Sequence, residues 1–178
     1  MRRLLFAAPA ALFALVVAAF ALGLGRDPSI LPSTLIGKPL PGFALPPVRP
    51  GEPGLATADL SAGGQPRLLN VFASWCATCR QEHPVLMALE ADGVPIDGLD
   101  WKDKPQDGAR FLAEQGNPYA RVGNDASGRA GIDLGVAAAP ETFVVDGAGR
   151  VRYKQVGPIT PDDWTRTIKP LMDRLRTG

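Results

Sequence analysis

The chain has 178 residues, 46% of them hydrophobic, enough for one ordered domain and a short extension. Its 19 basic and 18 acidic residues nearly cancel, and without Arg2 and Arg3 the balance is 17 to 18, which leaves no electrostatic case for a nucleic-acid partner. Two cysteines and one histidine are too few for a closed four-ligand zinc site.

Met1-Arg2-Arg3 precedes an uncharged apolar run, Leu4–Leu24. At about 1.5 Å per residue this run spans roughly 31 Å, the thickness of a hydrocarbon core. Positive residues on its N-terminal side predict a cytoplasmic N-terminus and delivery of the remaining chain across the membrane. The segment therefore reads as a signal anchor over residues 1–25. The alternative is a cleaved signal peptide with Ala19-Phe20-Ala21 as its small-x-small site, although the run exceeds a usual h-region. A buried core helix fits poorly, because the run has no polar face. Residues 26–36, with Pro28, Pro32 and Ser33, read as a linker, and residues 37–178 as the domain.

The domain begins with a proline-punctuated lead-in holding one short strand near Phe43–Leu45, and Thr57–Leu60 reads as an edge strand. Leu68–Ala73 is an apolar run with the character of a buried strand. It leads through Ser74-Trp75 into Cys76-Ala77-Thr78-Cys79 and an amphipathic stretch carrying Val85, Leu86 and Leu89. Strand, tight turn and helix follow one another, with both cysteines in the opening helical turn.

That placement has a chemical consequence. A helix N-terminus offers unpaired N–H groups and the positive end of the macrodipole, and both favour a thiolate at Cys76. Cys79 lies one turn on, within reach of the first sulfur. The first cysteine can then attack a disulfide and the second can resolve the mixed disulfide. Two other readings of the pair remain. A structural disulfide would close so short a loop that it constrains the unfolded chain little. A metal site would need His83 and further ligands, and three groups on neighbouring helical turns do not close a tetrahedron.

Glu82 lies three residues past Cys79. A carboxyl there can exchange a proton with the resolving thiol, and burial would raise its proton affinity towards neutrality. From spacing alone, a solvated helix-face glutamate is an equal alternative. Arg80 and Gln81 read as solvent-facing.

Gly93–Leu99 reads as a second strand, Asp100–Lys104 as a polar loop and Pro105–Gly116 as a helix with Gly116 as its stop. Tyr119–Val122 is a candidate third strand, and Ala126–Leu134 a short helix or turn. Pro140–Asp146 and Val151–Val156 form a hairpin across Gly147-Ala148-Gly149. Thr160 caps a last helix with Pro161 at its first position and an apolar stripe of Trp164, Ile168, Leu171, Met172 and Leu175. Parallel strands with crossover helices, then a hairpin, predict an α/β fold with a mixed sheet covered on both faces.

Three blocks in this order carry a resemblance. They are Leu69–Cys76 with Cys79–Pro84, Gly93–Gly98 leading to Trp101-Lys102-Asp103, and Leu134–Phe143. Over roughly 36–175 the chain resembles the thioredoxin superfamily, and more narrowly the membrane-anchored DsbE/CcmG type of cytochrome c maturation. The resemblance implies a thioredoxin-like fold with an N-terminal transmembrane helix, Cys76 as attacking and Cys79 as resolving thiol, and a cis Pro140 that sets the Ala139 backbone opposite the sulfurs. It also implies acidic groups near the dithiol at Glu82 and Glu141, and Trp75 packed beside the site. Its implied task is reduction of the haem-attachment C-x-x-C-H disulfide of apocytochrome c in the periplasm. The chain would be held at the inner membrane and recharged by a membrane electron donor of the DsbD/CcdA kind. No cofactor beyond the cysteine pair is implied. The Ala77-Thr78 dipeptide departs from the family, which often has proline first, and such a change alters thiol acidity and potential.

Three rival activities share the scaffold or its residues. An oxidant or isomerase of exported proteins would differ only in potential. A thiol peroxidase is disfavoured by Ala73, which supplies no hydroxyl three residues before Cys76. A metal-handling module would use Cys76, Cys79 and His83.

Overall fold

The computed structural model describes residues 9, 11–18, 20 and 33–177. The chain divides into two units, Met1–Leu31 and Pro32–Gly178. In the first, residues 11–18 are helical, with Leu12, Phe13, Leu15 and Val17 exposed. Most of the expected anchor and linker lies outside the described residues. Among the described residues no helix is long and apolar enough to cross a membrane.

The second unit is built on strands β1 (Ala44–Leu45), β2 (Leu55–Ala56), β3 (Arg67–Phe72), β4 (Ile96–Trp101), β5 (Val122–Asp125), β6 (Glu141–Val145) and β7 (Val151–Val156). Its helices are α1 (Ala77–Ala91), α2 (Pro105–Gln115), α3 (Arg129–Asp133) and a composite α4. The last runs from Pro161–Asp163 through a π-helical Trp164–Ile168 to Lys169–Thr177. Pro170 has no N–H for the carbonyl four residues back, and the helix widens just ahead of it.

β1 and β2 pair as a small antiparallel ribbon. The main sheet has the order β5-β4-β3-β6-β7, with β3 parallel to β4, β4 parallel to β5, and both β6 contacts antiparallel. This is the thioredoxin-like mixed sheet, with β3 at its centre.

Alternation along β3 divides the core in two. Leu68 and Phe72 join Leu86, Leu89, Phe111, Leu112, Ile168 and Met172 on the face covered by α1, α2 and α4. Leu69 and Val71 join Leu40, Leu60, Leu99, Trp101, Ala130 and Leu134 on the face covered by α3 and the N-terminal lead-in. Mid-strand Asn70 falls on the first face, buried between two apolar neighbours.

Several elements differ from the sequence expectation. Thr57–Leu60 is a 3-10 turn, not an edge strand. The Asp59 carboxylate accepts the Ala56 N–H at 2.8 Å, and such a local side-chain bond competes with strand pairing. The third strand is Val122–Asp125, a few residues later than Tyr119–Val122, because Tyr119 is spent as core packing. Asp100 and Trp101 complete β4 and are buried, where a polar loop was expected. The last helix starts as its sequence predicts, with Thr160 and Asp163 forming a reciprocal capping box.

Trp101 lies against α3 at Gly131, where an added Cβ would stand 2.3 Å from the indole Nε1. Alanine favours a helix over glycine by about 1 kcal/mol, but the indole is buried and has nowhere to retreat. Gly131→Ala is therefore expected to lower the unfolding free energy by about 1–3 kcal/mol in chemical denaturation. A neutral or stabilising result would show that the Trp101 packing is looser than described.

Candidate active site

The site forms where β3 ends and α1 begins. Cys76 is the N-cap of α1, in extended backbone conformation, and its sulfur accepts the Cys79 N–H at 3.0 Å. That N–H is one of the orphan donors of the first turn, and it points at the atom that carries the negative charge when the thiol ionises. Cys76 and Cys79 are joined as a disulfide with a Cα–Cα distance of 5.3 Å. The described state is therefore the oxidised one.

The loop leading to Cys76 is tied from outside. The Ser74 N–H donates to Asp103 Oδ2 at 2.6 Å, and the Trp75 indole donates to the Lys102 carbonyl at 3.2 Å. Arg80 reaches back from α1 to the Ser74 carbonyl at 2.7 Å. Lys102 holds a left-handed conformation, φ 50°, that lets the 102–104 segment turn beneath the cysteine loop. Trp75 is 57% exposed, with its ring 6.3 Å from that of Trp101. It forms an open apolar surface beside the disulfide and not a buried wall.

On the other side, the Cys76 sulfur lies 3.4 Å from the Ala139 carbonyl oxygen. The Ala139–Pro140 peptide bond is cis, as the resemblance implies. Ala139 thus stands opposite Cys76 with its backbone turned towards the sulfur.

Glu82 is buried at 2% exposure, which removes the solvated alternative. Its Oε1 accepts the Ile159 N–H at 2.6 Å and its Oε2 accepts from Asn70 Nδ2 at 3.2 Å. Burial outweighs both bonds and pushes its pKa from the ordinary 4.5 up to about 7. A carboxyl poised there can take and return a proton at neutral pH.

Glu141 occupies a different setting. It follows the cis proline, pairs with Val71 of β3 and is fully buried. Its Oε1 accepts the Ala137 N–H at 3.1 Å, and Lys154 Nζ lies 2.8 Å from its Oε2. The structure shows this carboxylate in a buried ion pair that steadies the loop before Pro140. His83 is likewise committed, with Nε2 3.0 Å from the Gly116 carbonyl and its ring edge-on to Phe111.

Sequence reasoning missed several participants. Asn70, Tyr119 and Thr142 form a buried chain reaching Glu82. One signal was available: a polar amide at the centre of an apolar strand must find partners. Asp103 lies in the expected loop, which gave no sign that it would hold Ser74, whereas Asp100 belongs to β4. Asp100 is fully buried and accepts from Asn124 at 2.8 Å, and burial pushes its pKa up to about 8.

Comparison with known proteins agrees with this geometry. The Redoxin family model matches residues 36–168. The thiol:disulfide interchange protein HelX of Rhodobacter capsulatus is 48% identical over 147 residues, covering 83% of this chain and 82% of the relative. The thiol:disulfide interchange protein DsbE of Escherichia coli K12 is 43% identical, covering 98% of this chain and 96% of its own length. A crystal structure of a thioredoxin-family thiol:disulfide interchange protein from Chlorobium tepidum superposes with a TM-score of 0.60 at 27% identity, covering 75% and 95% of the two chains. The chain belongs to the Redoxin family, among the thiol:disulfide interchange proteins of the DsbE and HelX kind, and it is a thiol-disulfide oxidoreductase.

The buried carboxyls set a pH dependence. Between pH 4.5 and 7 the folded oxidised protein keeps a proton on Glu82 that the unfolded chain has lost. Stability therefore falls as pH rises through that window and levels above it. Glu82→Gln is expected to flatten the decline by roughly 2–4 kcal/mol between pH 5 and 8, measured by denaturant titration of the oxidised protein. An unchanged slope would show that Glu82 does not hold its proton in the folded state.

Proposed function

We propose that this oxidoreductase reduces the disulfide of the haem-attachment C-x-x-C-H motif of apocytochrome c, from the periplasmic face of the inner membrane. The observation that carries the chemistry is the Cys76 sulfur at the helix N-cap, with the Cys79 N–H on one side and the Ala139 carbonyl on the other. The substrate and compartment rest on the resemblance to the DsbE/CcmG type, and the likeness to thiol:disulfide interchange proteins named DsbE and HelX supports that reading.

In the proposed cycle the protein begins as the dithiol. The Cys76 thiolate attacks one sulfur of the substrate disulfide, a Cys76–substrate bond forms, and the other substrate sulfur leaves as a thiolate that takes a proton. Glu82 accepts the proton of Cys79. The Cys79 thiolate then attacks the Cys76 sulfur, the bond to substrate breaks, and the second substrate thiol is released. Two electrons pass to the substrate and the Cys76–Cys79 disulfide remains. A membrane electron donor of the DsbD/CcdA kind restores the dithiol. The Ala139 backbone, set by cis Pro140, pairs with the substrate strand across from Cys76, Trp75 offers an apolar platform beside it, and Glu141 fixes the loop that carries Ala139.

Residues 1–25 are proposed as a single-pass anchor, residues 26–36 as its linker and 37–178 as the catalytic domain. The support is the charge-free run after Arg2 and Arg3, together with the exposed apolar side chains of helical residues 11–18.

Two measurements test the proposal. Equilibration with glutathione is expected to place the potential in the reducing range, about −200 to −270 mV, and a value near about −120 mV would make the protein an oxidant instead. Cys79→Ser is expected to accumulate a mixed disulfide with an oxidised C-x-x-C-H peptide, whereas Cys76→Ser captures none. The opposite pattern would reverse the two thiol roles.

A further inference from the structure

The mid-strand amide of Asn70 is completely buried. Its Nδ2 donates to Thr142 Oγ1 at 2.9 Å and to Glu82 Oε2 at 3.2 Å. Its Oδ1 accepts the Tyr119 hydroxyl at 2.8 Å. Tyr119 is held in turn, with its ring stacked on Phe72 at 4.9 Å. That stack depends on Gly98, where an added Cβ would stand 2.8 Å from the Tyr119 ring.

An asparagine amide has a donor end and an acceptor end of nearly equal shape, so only its partners decide which way it points. Turned over, Asn70 would set its carbonyl oxygen against the Glu82 carboxylate. The tyrosine hydroxyl, donating to Oδ1, holds the amide in the opposite sense.

We propose that Tyr119 and Asn70 are positioning residues for Glu82, the hydroxyl orienting the amide and the amide holding the carboxylate ready to take the Cys79 proton. This rests on the proposed role of Glu82 as proton acceptor. Glu82 meets Asn70 from β3, the Ile159 N–H from the segment before α4, and the field of the buried Tyr119 hydroxyl from the segment before β5. On its own helix the neighbouring titratable groups are Cys79 and His83, the latter turned to Gly116. The Ile159 and Asn70 bonds both lower the proton affinity that burial raises, so losing the Asn70 bond moves it upward.

The test uses the reduced full chain and the aromatic disulfide 5,5′-dithiobis(2-nitrobenzoate). Attack by Cys76 releases one coloured thiolate. Attack by Cys79 on the mixed disulfide releases the second, so the second phase reports resolution and the first serves as reference. Tyr119→Phe keeps the stacking ring and loses only the hydroxyl. It is expected to move the pH midpoint of the second phase up by about one unit, making that phase about tenfold slower below the midpoint. Asn70→Ala is expected to move it at least as far. In Glu82→Gln the midpoint is expected to vanish, and adding Tyr119→Phe to change nothing more. If Glu82→Gln abolishes the midpoint but Tyr119→Phe leaves it in place, the positioning role is overturned and the acceptor role stands. An equal slowing by Tyr119→Phe with and without Glu82 would mark a merely structural effect and also overturn it. If Glu82→Gln keeps the midpoint, the acceptor role fails and this inference fails with it.

Discussion

A sulfur at a helix N-cap is useful only while the chain before it stays out of helical conformation, and that constraint shapes the structure around Cys76. Cys76 holds extended backbone, while Cys79 already lies inside α1. Nothing in Ser74-Trp75 alone enforces this boundary. It is imposed by the parallel pairing of β3 with β4, which sets Phe72 beside Asp100 and so brings residues 102–104 alongside 74–75. The Asp103 carboxylate and the Lys102 carbonyl then take the two donors of the cysteine loop. The register of two central strands thereby determines where the first turn begins, and so where the backbone donors point.

β4 and the helix that follows β3 carry groups that work against stability. Glu82 is buried on an amide and a backbone N–H, Asp100 is buried beside the Asp103 carboxyl with Asn124 as its donor, and Asp97 is buried against Arg67 at 2.6 Å. Burial raises the proton affinity of all three. Each therefore favours the folded state less as pH rises. Space for them is made by backbone: an added Cβ at Gly108 would stand 2.3 Å from an Asp100 oxygen. A domain that needed only a stable core would fill these positions with apolar side chains. Buried carboxyls with shifted proton affinity cluster at functional sites, and Glu82 lies one helical turn from Cys79.

What the sequence disclosed was mainly local. A cysteine at a helix opening, its partner one turn later, the Thr160 cap and the hairpin at Gly147–Gly149 all follow from spacings of a few residues, and each was legible. The contacts that tune the site join residues far apart in the chain. Asn70 and Tyr119 are 49 residues apart and meet only because β3 and the approach to β5 flank Gly98. Asp103 reaches back 29 residues to Ser74. The misplaced third strand has the same origin, since tertiary packing takes Tyr119 into the core and strand pairing begins later. Thr57–Leu60 failed for a different reason, because one aspartate oxygen captures a backbone donor and local turn chemistry overrides an edge strand.

The two glutamates show why the resemblance alone could not assign roles. Both are buried and both flank the path from β3 to the disulfide, Glu82 on α1 and Glu141 at the start of β6. They differ in what faces them. Glu141 meets the Lys154 ammonium, so its negative charge is matched within the fold, and its second oxygen anchors the Ala137 backbone. Among the described residues the hydrogen bonds to Glu82 come from an amide and a backbone N–H, donors strong enough to orient a carboxylate but too weak to offset its burial. A charge matched by a cation holds a loop; a charge matched only by neutral dipoles is free to come and go with a proton. The two identical side chains are therefore told apart by one lysine on β7, which pairs with Glu141 and leaves Glu82 as the carboxyl whose proton affinity burial raises.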